Sequence, residues 1–84
     1  MSSTVLIGLV ATCCSTLALL PQVVKTWRTR STADISVWTF STVSTASVLW
    51  VIYGWLRGDV PVVVANTIVF FLATTILWLK VRHP

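Results

Sequence analysis

An indole and a side-chain amide stand at mirrored positions around one glycine. Trp50 lies eight residues before Gly58 and Asn66 eight residues after it. If both flanks are helical, a rise of about 1.5 Å per residue puts each side chain about 12 Å below that turn, at matching depth on neighbouring helices. An indole offers a flat face to C–H groups, and an amide offers two donors and an acceptor to hydroxyls. Together they would suit a sugar ring, stacked on Trp50 and hydrogen-bonded to Asn66. Trp50 is deeper than an interfacial belt, which is where Trp38, Trp55 and Trp78 are expected. Asn66 is costly against lipid, so it should face a partner or a water-filled space.

The stripe continues outward. Trp50, Tyr53 and Arg57 stand at i, i+3 and i+7, while Asp59 and Asn66 are seven apart and share a face of the next helix. Tyr53, Arg57 and Asp59 should therefore converge at the mouth of the turn. A breakable, hydrogen-bonded ion pair there would serve as an outer gate. The same spacing also fits an ordinary surface ion pair, worth about 0–1 kcal/mol.

These positions need helices in a particular solvent. Of the 84 residues, 56% are hydrophobic and 10% charged, too apolar a balance for a soluble domain of this size. Residues 1–24, 35–56 and 60–79 carry no charge. Each run approaches the roughly 20 residues that span a hydrocarbon core of about 30 Å. The expected architecture is an all-α membrane protein of a single bundle over 1–84, with helices near 4–26, 35–56 and 60–79. A basic loop near 27–34 and a tight turn at Arg57, Gly58 and Asp59 would connect them.

Charge placement sets the orientation. Lys25, Arg28 and Arg30 follow the first span, and Lys80 and Arg82 follow the third; Arg57 alone lies on the opposite side. The positive-inside rule then puts the N-terminus outside and the C-terminus in the cytoplasm. The net charge of +4 marks helix ends, so no nucleic-acid partner is expected. No basic start precedes the first span, which argues against a cleaved signal. Cys13 and Cys14 are adjacent and diverge on a helix, as small packing residues would. They have no metal-ligand spacing, and no cofactor is implied. No nucleophile–base or carboxylate pair is in reach of one site, and His83 adjoins the end of the chain, so an enzyme is not expected.

Three helices leave no room for a path along their axis. A second copy would have to supply the other wall, pairing in parallel because both copies share one topology. The hydroxyls of Ser36, Thr39, Ser41, Thr42, Ser44, Thr45 and Ser47 can bond to their own backbone, so at least half of them should be structural. Pro21 cannot donate the bond expected of a helix interior, and the helix should kink there, freeing the carbonyl near Leu17. With Gln22 beside it, Pro21 reads either as a hinge for an inner gate or as a helix terminator.

The stretch "PQVVKTWRTRSTADIS" resembles the PQ-loop superfamily: a Pro-Gln pair at a helix end, spaced basic residues, and a Ser-bearing entry into the next helix. Three spans and one such motif look like SemiSWEET, the bacterial half-size relatives of the SWEET sugar transporters, and the likeness covers the whole chain. SWEETs are a standing example of repeats related by an axis along the membrane normal. The resemblance implies a parallel homodimer in the bacterial inner membrane that moves mono- or disaccharides passively, by alternating access. It implies sugar binding at Trp50 and Asn66, a hinge at Pro21 and Gln22, and an outer gate at Tyr53, Arg57 and Asp59. The inner gate would fall near the entry of the second helix, at Phe40 and Val37. Two rivals stand beside it: a PQ-loop carrier of another small solute such as an amino acid, and a holin-like pore. A charged cargo would want a buried acid, and a holin a strongly charged tail; this chain shows neither.

Overall fold

The computed structural model describes residues 2–84. Three helices hold most of them: α1 (Ser3–Thr29), α2 (Val37–Arg57) and α3 (Val60–Arg82). Each is long and apolar enough to cross a membrane. Each also begins at a polar cap, which satisfies an amide that lipid could not. Ser2 Oγ accepts from Val5 N–H at 3.2 Å, Ser36 Oγ from Thr39 N–H at 3.1 Å, and Asp59 Oδ1 from Val62 N–H at 3.2 Å.

The helix ends differ from the expected ones for local reasons. α1 continues through Lys25 and Arg28 to Thr29, where a basic loop was expected. The Thr26 and Thr29 hydroxyls donate back to Gln22 O and Lys25 O, and the turn comes only at Arg30, which is left-handed at φ 57°. α2 starts at Val37 because Ser36 is spent as its cap. α3 keeps Lys80 and Arg82 in its last turn, where cations complement the helix dipole. α2 stops at Gly58, φ 66°, and a Cβ there would meet nothing, so the backbone sign alone calls for glycine.

In space α3 lies between the other two. It packs on both α1 and α2, whereas α1 and α2 do not pack on each other among the described residues. The Cα extents of 44 × 22 × 13 Å describe a slab about one helix thick. The most buried apolar residues, Ala73, Ile76 and Leu79, accordingly all belong to α3. α1 buries only Thr12, and leaves Leu6, Ile7, Val10 and Leu17 exposed. Cys13 and Cys14 are exposed as well, so they are not the packing residues expected, because α1 offers only one narrow stripe to α3.

Two glycines set the close approach at one end of the slab. A Cβ on Gly8 would stand 2.6 Å from Pro61 Cβ, and one on Gly54 would stand 2.9 Å from Val62 Cγ1. Neighbouring positions of α3 thus touch α1 and α2 directly. At the other end the connection from α1 to α2 must pass around the end of α3. Thr32, almost fully buried, donates through its hydroxyl to His83 O, and Lys80 Nζ donates to Thr32 O at 2.8 Å. Arg30 Nη1 meets His83 Nε2 at 2.8 Å. The connection is clasped to the α3 terminus.

Candidate functional site

The contact of Gly54 with Val62 and Val63 fixes the register of α2 against α3. One turn inward from Gly54 is Trp50, and one turn inward from Val62 is Asn66. The two side chains therefore sit at the same level, about 6 Å inside that contact at 1.5 Å per residue. Trp50 is half exposed on α2 and meets Tyr53 edge to face, with ring centroids 5.5 Å apart. Ala46, Leu49, Trp50 and Tyr53 line a shallow cleft on this face.

Asn66 is partly buried, and its Nδ2 donates to Val62 O at 2.9 Å. That bond holds the amide against its own helix and leaves one N–H and the carbonyl oxygen for another partner. Most other hydroxyls of the spans are satisfied in the same local way: Thr45 on Ser41 O, Ser47 on Val43 O and Thr67 on Val63 O. Ser44 Oγ is buried without a hydrogen-bond partner. Asn66 is the one side-chain amide at this level, and Gln22 is the other amide in the described spans.

A cavity of about 330 Å³ opens on one face of the slab toward the C-terminal half of α1. All three helices line it, with Gln22 and Val23 from α1, Phe40 and Val43 from α2, and Val69 and Ala73 from α3. Val43 and Trp50 are seven apart, as are Asn66 and Ala73, so cavity and Trp50–Asn66 level share one stripe on each helix. Spacing from Trp50 and Asn66 was the signal that could have found Val43, Val69 and Ala73, none of which sequence reasoning named.

The remaining expected residues divide. Gln22 and Phe40 reach the cavity; Val37, at the first turn of α2, is half exposed and does not line it. Pro21 is exposed, and α1 continues through it as helix. The carbonyl of Leu17 nonetheless lacks its usual donor, since proline has no N–H. At the outer turn the single chain does not bring Arg57 and Asp59 into a hydrogen bond. Among the described residues the Asp59 carboxylate bonds the Val62 amide, and both residues border a wide recess with Ser2, Gly8 and Pro61. The helix cap engages Asp59 Oδ1 and leaves Oδ2 free for the ion pair expected from sequence.

A family described as PQ loop repeat matches residues 4–63. A protein of Bradyrhizobium diazoefficiens named sugar transporter SemiSWEET is 42% identical over 78 residues, 93% of this chain and 91% of its own length. A protein of the same name from Leptospira biflexa is 41% identical over 93% of this chain and 92% of its own. The fold of a bacterial homologue of SWEET transporters matches with a TM-score of 0.90 at 35% identity, over 99% of this chain and all of that one. SemiSWEET in the inward-open conformation matches with the same score at 38% identity, over 98% and 88%. The chain belongs to the PQ-loop family, in its SemiSWEET branch.

Proposed function

We propose that this chain is one half of a passive sugar transporter of a bacterial inner membrane. Two copies pair in parallel about an axis along the membrane normal and enclose the path that neither encloses alone. The observation that carries this reading is a partly completed path. Trp50 and Asn66 stand level above a cavity lined by all three helices, in a slab too thin to hold a closed conduit. Relatives named as sugar transporters support sugar as the cargo, and the inward-open relative is consistent with a cavity toward the C-terminal end of α1.

The roles follow from position. The Trp50 ring stacks on the apolar face of the sugar, and the free amide groups of Asn66 bond its hydroxyls. Tyr53, Arg57 and Asp59 close the outer mouth against the second copy, and Asp59 Oδ2 remains for that pairing while Oδ1 caps α3. Gln22 and Phe40 bound the inner route. Pro21 weakens one point of α1 so that its inner end can swing about the packed outer end, alternately opening the two sides. The excess of basic residues at one side supports an N-terminus outside and a C-terminus in the cytoplasm.

Among the described residues the spans hold no Asp, Glu, Lys, Arg or His at the Trp50–Asn66 level, so no carboxylate, amine or imidazole is at hand to carry a proton and sugar equilibrates instead of accumulating. Uptake into liposomes containing only this protein tests the point. Sugar should enter to the outside concentration with or without a proton or sodium gradient. Accumulation driven by either gradient would overturn passive transport. For the pairing, a Val60→Cys variant lacking Cys13 and Cys14 should cross-link to its own copy across the outer turn. Exclusively head-to-tail products from other single cysteines would overturn the parallel dimer.

A further inference from the structure

The face of α3 turned away from the cavity carries a second arrangement. Phe71, Thr74, Thr75, Trp78 and Arg82 recur at helical spacing on the side opposite Val69, Ala73 and Ile76. Trp78 stacks on Trp27 of α1, with ring centroids 5.7 Å apart and planes inclined by 21°. Arg82 lies over Trp78 at 5.5 Å from its centroid, and Arg30 over Trp27 at 6.0 Å. Below the rings, Trp27, Thr74, Thr75 and Trp78 line a shallow groove. The Thr74 and Thr75 hydroxyls donate to Phe70 O and Phe71 O, so the groove wall presents methyl groups without unsatisfied donors.

We infer that this groove is a binding site for an anionic phospholipid of the leaflet in which α1 and α3 both end. The anionic headgroup lies at the rim that Arg30 and Arg82 form over the stacked indoles, and an acyl chain runs down past Thr74 and Thr75 toward Phe71. Charge chooses the occupant. Two arginines are held at the rim of an apolar groove at a span end, where lipid headgroups lie, and an arginine fork can bond phosphate with two N–H groups. Neither guanidinium is spent on a carboxylate among the described residues: Arg30 places one nitrogen on His83 Nε2, and both stack on indoles that leave their N–H edges free. The left-handed backbone of Arg30 turns the chain at the helix end and places this side chain beside both Trp27 and His83. The site lies outside the sugar path and depends on neither Trp50 nor Asn66.

Native mass spectrometry of the purified protein in a neutral detergent, with phosphatidylglycerol and phosphatidylcholine added in equal amounts, tests this directly. Phosphatidylglycerol should be retained preferentially. Each arginine near an anionic headgroup contributes about fivefold in affinity, so Arg82→Gln should lose about fivefold and Arg30→Gln/Arg82→Gln about 25-fold. The control is Lys25→Gln/Arg28→Gln, which removes the same charge from the α1 surface turned away from Trp27. It should retain the lipid like the native chain. Equal loss in both double variants would mean diffuse attraction and would overturn the site, as would equal retention of the two lipids by the native protein. Arg82→Gln leaves the Arg30–His83 contact intact, so its loss of lipid cannot be ascribed to a released connection.

Discussion

The two ends of this slab are built on opposite principles. At the Gly58 end, helices touch through glycine: Gly8 against Pro61 and Gly54 against Val62, with no room for a methyl group at either. At the opposite end they part around a cavity of about 330 Å³, and α1 contains a proline. Close backbone packing in a membrane relies on van der Waals contact, which falls away quickly with separation. On the proposed mechanism the glycine contacts act as the pivot, and the ends around the cavity are the ones that move. Even there the freedom is selective. The α1–α2 connection is fastened to the end of α3 through Thr32, His83 and Lys80, so the proposed swing of α1 has its hinge above that clasp and not at the loop.

The largest expected effect lies at the pivot. Gly8→Ala would drive a methyl into the rigid ring of Pro61, and overpacking of this kind costs about 1–3 kcal/mol. Unfolding in graded SDS, followed by loss of tertiary signal, should shift accordingly. Gly58→Ala sharpens the comparison, because a Cβ there meets nothing and only the left-handed backbone is penalised, by about 1–2 kcal/mol. If Gly8→Ala is as stable as the native chain, α1 is not anchored at Pro61.

Next comes the hinge. Pro21→Ala restores a donor to Leu17 O, a bond worth about 0.5–1.5 kcal/mol, and stiffens α1 at that point. Transport should fall several-fold while expression and dimer formation persist. Unchanged transport would return Pro21 to a terminator's role. A smaller change is expected at the clasp. Thr32→Val removes a buried hydroxyl donor and should speed amide hydrogen exchange in residues 30–36 without altering exchange near Gly54. Uniformly faster exchange along the chain would show that the two ends are not independent.

The spans were legible in the sequence because lipid imposes a plain rule: long uncharged runs ending in cations. The level match of Trp50 and Asn66 was legible too, since a tight turn at Gly58 makes depth a matter of counting. The order of helices was not. All three spans are apolar around most of their circumference, so no polar face marks which neighbour each one takes, and α3 between α1 and α2 follows only from packing. Gly8 and Gly54 were the available clue, small residues where backbones approach. The clasp was hidden because Thr32 and His83 are far apart in sequence, and His83 had been set aside as a terminal residue. At Asp59, the shared helix faces suggested a breakable pair with Arg57, but the helix cap that occupies Oδ1 and leaves Oδ2 free was not foreseen.

The most direct test of a sugar path at the Trp50–Asn66 level is sugar affinity and uptake in folded protein carrying single substitutions. Asn66→Ala removes hydrogen bonds worth about 0.5–1.5 kcal/mol each, and the dimer doubles the loss, to about tenfold or more in affinity. Trp50→Ala removes the stacking surface and should be similarly impaired, whereas Trp50→Phe retains part of it. Trp55, largely exposed at the outer end of α2, is the control, and Trp55→Ala should scarcely matter. The expected order of loss is Trp50→Ala and Asn66→Ala well ahead of Trp50→Phe, then Trp55→Ala. Normal transport by Asn66→Ala, or equal sensitivity of Trp50 and Trp55, would contradict a sugar site at this level.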